Sequence, residues 1–165
     1  MAKAVIIMGS GTDREHCNKI GAMLKTLGVE YVMRIASAHK VPLKALEIVR
    51  TYEKEPVVFI TVAGRSNALS GFVDANTFRP VIACPPYGDR FGGADIFSTI
   101  RMPSGVAPML VLEPAEAALA AAKILALQDE RIANAVRTLQ EDKRAEIDRM
   151  DEEISEEISK EISKE

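Results

Sequence analysis

At 165 residues, 47% of them hydrophobic, the chain suits one compact domain with a single core. A net charge of −3 and a pI near 5.5 argue against a general nucleic-acid binder, although a small anion can still bind a locally positive site on an acidic protein. The two cysteines, Cys17 and Cys84, sit in no CxxC motif, so neither a disulfide framework nor a zinc site is implied.

The opening "MAKAVIIMGSG" carries too short an apolar run for a secretory signal and reads instead as a buried first strand, KAVIIM, followed by the loop GSGTD. The periodicity predicts a helix from Asp13 to Leu27, with Ile20, Met23, Leu24 and Leu27 on one face. Thr12 and Glu15 have capping-box spacing at its start, and Gly28 ends it. A second strand, VEYVMRI, leads into the exit loop ASAHK. Pro42 suits the first turn of a helix to about Tyr52. The most apolar strand, PVVFITVA, is followed by the loop GRSN and a short helix to about Asn76. RPVIAC is a fourth strand, with Cys84 as a small buried hydrophobe. The stretch "CPPYGDRFGGADIFSTIRMPSGV" is too rich in Gly and Pro for regular structure, apart from a short helix at Ile96 to Arg101. It carries Asp89, Arg90 and Arg101 and reads as a lid or an interface. MLVL is strand five. An Ala-rich helix runs from Pro114 to about Leu127, and a further helix starts near Asp129.

Strands separated by helices imply a parallel sheet covered on both faces. The pattern reads as an α/β, flavodoxin-like, doubly wound, five-stranded sheet in three αβα layers, with extra C-terminal helices. The domain reading is residues 1–143, followed by a charged helical tail over residues 144–165. In that tail Ile154, Ile158 and Ile162 recur every fourth residue, a period that drifts around a helix. The stripe is either a solvated face with Glu–Lys pairs or a surface that packs on another subunit. The last turns read as solvated. No run approaches the length of a membrane span, so the chain reads as soluble and cytoplasmic.

The unusual loops GSGTD, SAHK and GRSN all fall at the carboxyl ends of strands, where doubly wound sheets bind ligands. In MGSGTD, a Gly-rich turn opening a helix offers backbone N–H groups to an anion, and Ser10 and Thr12 add hydroxyls. It is neither a Walker loop nor a complete dinucleotide fingerprint, because Arg14 stands where the third glycine of GxGxxG belongs. Asp13 suits ribose hydroxyls. A plain turn and cap would look the same. In SAHK, His39 can act as an acid or base near neutral pH, with Lys40 attracting an anion and Ser37 donating to it. A surface histidine would look the same. His16, on the first helix, reads as a helix-surface or packing residue. In GRSN, Arg65, Ser66 and Asn67 suit a carboxylate or oxyanion, while Ser66 or Asn67 could equally cap the next helix.

Taken in order, "MGSGTD", "SAHKVP", "VAGRSNALSG", "NTFRPVIACPP", "DIFSTIRMPSGV" and "AALAAAKILAL" resemble the aminoimidazole ribonucleotide (AIR) carboxylases of purine biosynthesis, through about Leu127. That family has a mutase branch, which rearranges the AIR carbamate. It also has a class II branch, which carboxylates AIR directly with CO2. Mutase sequences usually carry a second histidine in the third-strand loop. Here Ala68 holds that place, and SAHK with GRSN is similar to the class II branch. The resemblance implies an ATP-independent carboxylation with His39 as general acid/base. It implies His39 and Lys40 as catalytic, and Gly9, Ser10, Thr12, Asp13, Ser37, Ala38, Lys40, Gly64, Arg65, Ser66 and Asn67 as substrate-binding. Within that set, Ser10, Asp13, Ser37 and Lys40 match ribose-phosphate positions, and Gly64 to Asn67 match the loop around CO2 or the carboxylate. It further implies no cofactor, no metal, and a homo-oligomer, tetramer or octamer. Against it stand the mutase reaction, a relative acting on another nucleotide-like ring, and a non-catalytic nucleotide-phosphate binding module.

Overall fold

The computed structural model describes residues 2–86, 88 and 90–162; Tyr87 and Asp89 of the long loop lie outside the described residues. The sheet is built from β1 (Lys3–Met8), β2 (Glu30–Ile35), β3 (Val57–Val62), β4 (Val81–Ala83) and β5 (Met109–Leu110). All pairings are parallel and the order is β2-β1-β3-β4-β5, the flavodoxin-like arrangement expected from the alternating elements. β1 and β3 are central and apolar, and β3 is buried along its whole length. β2, at the edge, is exposed or half-buried and correspondingly more polar.

Helices α1 (Arg14–Thr26), α5 (Pro114–Leu125) and α6 (Glu130–Ile162) lie over one face, with Ile20, Leu24, Ala118, Ala121 and Ile132 packed on Ile6, Ile60 and Ile82. The alanines let α5 approach α1 and the sheet closely. Helices α2 (Pro42–Tyr52) and α3 (Leu69–Asp74) cover the other face, around Val5, Ile7, Phe59 and Ile48. Each fully buried large aliphatic or aromatic side chain stabilises the fold by roughly 1.5–3 kcal/mol, so these two clusters hold the sheet between its helix layers.

Gly28 ends α1 as expected. Its φ is +67°, and the turn is a Schellman motif in which Val29 N–H donates to Leu24 O (2.9 Å) and Gly28 N–H to Lys25 O (3.1 Å). The helix start differs from the Thr12–Glu15 reading. A 3-10 turn over Gly11–Asp13 precedes α1, and the capping box is formed by Ser10 and Asp13. The turn begins two residues earlier, so Asp13 takes the place of the reciprocating acid. The Gly/Pro-rich segment holds the short helix expected near Ile96–Arg101, as α4 (Phe97–Ile100), but departs from expectation in a 3-10 stretch over Arg90–Ile96 before it.

α6 runs unbroken for 33 residues, through the point where the composition changes at Arg144. Ile132 and Val136 are buried in the core, with Ala135 and Leu139 packed against it. Farther along, Ile147, Ile154, Ile158 and Ile162 are exposed. No helix among the described residues is long and apolar enough to cross a membrane.

Candidate active site

The register sets the site. Met8 lies abreast of Ile35 and of Val62, so the exit loops of β1, β2 and β3 leave the sheet at one level. β1 and β3 are also where the strand order reverses, and the crevice there is the usual ligand position of this architecture. Two backbone bonds tie the loops at their roots: Gly9 N–H to Val62 O (2.8 Å) and Ala36 N–H to Met8 O (3.0 Å). At Gly9 a side chain would meet the Ala63 Cβ at 3.3 Å, so glycine permits the first and third loops to close on each other.

Between the loops lies an open cleft of about 540 Å³. That volume is in the range of small-molecule sites. From the first loop Gly9, Ser10, Thr12 and Asp13 line it; from the second, Ser37, Ala38, His39 and Lys40; from the third, Gly64, Arg65 and Ser66, with Ala68. The structure thus brings together every site residue read from the sequence except Asn67.

The first loop is preorganised. Ser10 N–H donates to Asp13 Oδ2 (3.1 Å), Thr12 N–H donates to Ser10 Oγ (3.1 Å), and the Ser10 and Thr12 hydroxyls are hydrogen-bonded to each other. Asp13 is therefore held by the backbone, with lone pairs left for hydroxyl donors. In the second loop Lys40 N–H donates to Ser37 Oγ (3.3 Å) and Val41 N–H to Ser37 O (2.9 Å), which folds SAHK into a turn. His39 and Lys40 are exposed there. The cleft carries two cationic side chains, Lys40 and Arg65, around one carboxylate, Asp13, which suits an anionic ligand that also bears hydroxyls.

The third loop is clasped from outside the cleft. Arg65 has φ +60°, the one non-glycine among the described residues with positive φ. Its N–H donates to Asp95 Oδ2 (3.3 Å) and its carbonyl accepts from Ser98 Oγ (3.0 Å). Asn67 is buried, and its side chain is occupied by the protein: Oδ1 accepts from Ser70 N–H (3.2 Å) at the start of α3, and Nδ2 donates to Thr99 Oγ1 (3.0 Å). The capping reading thus belongs to Asn67, while Arg65 and Ser66 face the cleft. Behind this loop a recess of about 10 Å³ adjoins Gly64, Arg65, Pro86 and Thr99. Asp95, Ser98 and Thr99 were missed by sequence reasoning. Their signal was the stretch DIFSTIRMPSGV, one of the motifs that carry the resemblance, but nothing local in it points to the loop after β3.

His16 is not among the cleft's lining residues. It is half-buried on α1, with Nε2 3.3 Å from the Cys84 Sγ, and burial lowers its pKa from the usual value. Burial also pushes both the Cys17 and Cys84 thiols up to about 12, as suits packing residues rather than nucleophiles. Among the described residues no group of three or more His, Cys, Asp or Glu side chains could hold a metal ion.

Comparison with known proteins gives a consistent result. The family model described as AIR carboxylase matches residues 3–146. The chain is 67% identical over 152 residues to a phosphoribosylaminoimidazole carboxylase of Archaeoglobus fulgidus, covering 92% of this chain and 84% of that one. It is 50% identical over 145 residues to the phosphoribosylaminoimidazole carboxylase of Treponema denticola, covering 87% and 91%. Its fold is similar to the crystal structure of Treponema denticola PurE, with a TM-score of 0.90 at 48% identity over 93% of this chain and 98% of that one.

Proposed function

The chain belongs to the AIR carboxylase family, and on that premise we propose that it carboxylates 5-aminoimidazole ribonucleotide with CO2, without ATP, to give 4-carboxyaminoimidazole ribonucleotide. The observation that carries this reading is the placement of His39 on the same cleft as a hydroxyl-rich loop, Lys40 and Arg65. Ser10, Thr12, Asp13, Ser37 and Lys40 bind the ribose phosphate, the anion meeting Lys40 and the hydroxyl donors. Gly64, Arg65 and Ser66 bound the place where CO2 meets the ring.

The ring carbon of AIR is enamine-like. It forms the new carbon–carbon bond by attacking CO2, and one C–O π pair of CO2 moves onto oxygen as the carboxylate. The intermediate keeps its ring proton on that carbon. Neutral His39 takes the proton, and the C–H electron pair returns to the ring and restores aromaticity. Arg65 stabilises the new carboxylate, and confinement of CO2 beside the ring contributes through proximity and orientation. Buried Asn67 acts by holding the loop rather than by touching substrate. Ala68 on the cleft wall favours the direct reaction over the mutase one, since mutase sequences usually carry a second histidine at that place. With this reading go a homo-oligomeric assembly, a cytoplasmic location, and a domain of residues 1–143 followed by a tail over 144–165.

His39→Asn tests it. Turnover of AIR with CO2 falls by about 10²–10⁴-fold, while AIR still binds within a few-fold of wild type, because only the proton carrier is lost. Turnover within about threefold of wild type would remove His39 from the chemistry.

A further inference from the structure

We infer that Ser98, with Asp95 beside it, is a positioning residue for the carboxylation: it fixes the backbone of Arg65 so that the third-strand loop presents one face to CO2. This rests on the proposed carboxylation and adds to it a residue from a segment outside the cleft.

The left-handed backbone of Arg65 (φ +60°) is unfavourable for a residue with a Cβ and persists only where its surroundings over-determine it. Here they do. A serine hydroxyl has one proton to give and two lone pairs to receive. Ser98 Oγ accepts from Asn67 N–H (2.9 Å), and its proton lies between Arg65 O (3.0 Å) and Asp95 O (2.7 Å). The Asp95 carboxylate accepts from Arg65 N–H (3.3 Å). Two adjacent side chains therefore hold Arg65 at its N–H and at its carbonyl, and hold the Asn67 N–H besides. Neither Ser98 nor Asp95 lines the large cleft, whereas Arg65 does. Asp95 and Arg65 also both line the small recess behind the loop.

Loss of the clasp lets Arg65 relax toward ordinary backbone angles and displaces the loop from CO2, leaving the ribose-phosphate contacts of the first two loops in place. The two substrates are therefore affected unequally, which a loss of stability alone would not produce. The test is steady-state kinetics of Ser98→Ala and Asp95→Ala, varying CO2 at saturating AIR and then AIR at saturating CO2. The expected result is a KM for CO2 raised about tenfold or more, with the KM for AIR within about twofold. An unchanged KM for CO2 in the variants that fold, or equal rises for both substrates, overturns the inference, as does unfolding of both variants. A wild type that fails to turn over AIR and CO2 overturns the carboxylase reading and this inference together. An active wild type beside unaffected variants overturns this inference alone.

Discussion

Asn67 Nδ2 donates to Thr99 Oγ1 across 3.0 Å, joining the loop after β3 to a helix 32 residues farther along the chain. Both groups of the Asn67 amide are used inside the protein, and the residue is 3% exposed. Asn67→Ala strands the Ser70 N–H and the Thr99 hydroxyl in a buried setting. It should lower unfolding free energy by about 1–3 kcal/mol, read from the midpoint of urea denaturation. A variant within about 0.3 kcal/mol of wild type would mean that water replaces both bonds at no cost.

Gly28 is the second point where one residue controls stability. It closes α1 in the left-handed region, and nothing lies within 4 Å of where a Cβ would be. Space is therefore not the obstacle; the backbone angle is. Gly28→Ala should cost about 1–2 kcal/mol with no change in the cleft, measured by thermal or urea unfolding alongside turnover. An equally stable variant would contradict the Schellman closure.

Much of this fold is written locally. VVFITV is buried from end to end and KAVIIM from Ala4 onward, because every residue in those stretches is apolar or, like Thr61, small. Gly28, Pro42 and Pro114 mark helix ends by backbone geometry alone. The three loops of the cleft were legible because strand and helix alternation fixes which loops share an end of the sheet. What was not legible was either a near-tie or a long-range contact. Ser10–Asp13 and Thr12–Glu15 both have plausible cap spacing, and the 3-10 turn decides between them. The burial of Asn67 depends on Ser98 and Thr99, and the position of His16 depends on Cys84, 68 residues away. No local pattern encodes those meetings.

His16 gives the fold a pH dependence of known sign. Burial lowers its pKa in the folded chain. The unfolded chain takes up that proton near the ordinary value of about 6.5. Below it, the unfolded state binds more protons than the folded one. Stability therefore rises with pH up to about 7 and falls as the solution is acidified through that window. Urea unfolding of wild type and His16→Asn at pH 5 and pH 7 checks this, the variant showing the smaller rise. Equal rises in the two proteins would assign the dependence to other groups.

The most direct measurement is turnover of the purified protein without ATP in two parallel reactions, one supplying AIR with CO2 and bicarbonate, the other the AIR carbamate. Direct carboxylation, with His39 removing the ring proton and Ala68 in place of a second histidine, predicts product from the first reaction only. Product from the carbamate alone would contradict it and make the enzyme a mutase. Silence in both, with the nucleotide still bound, would leave a binding module on the same cleft.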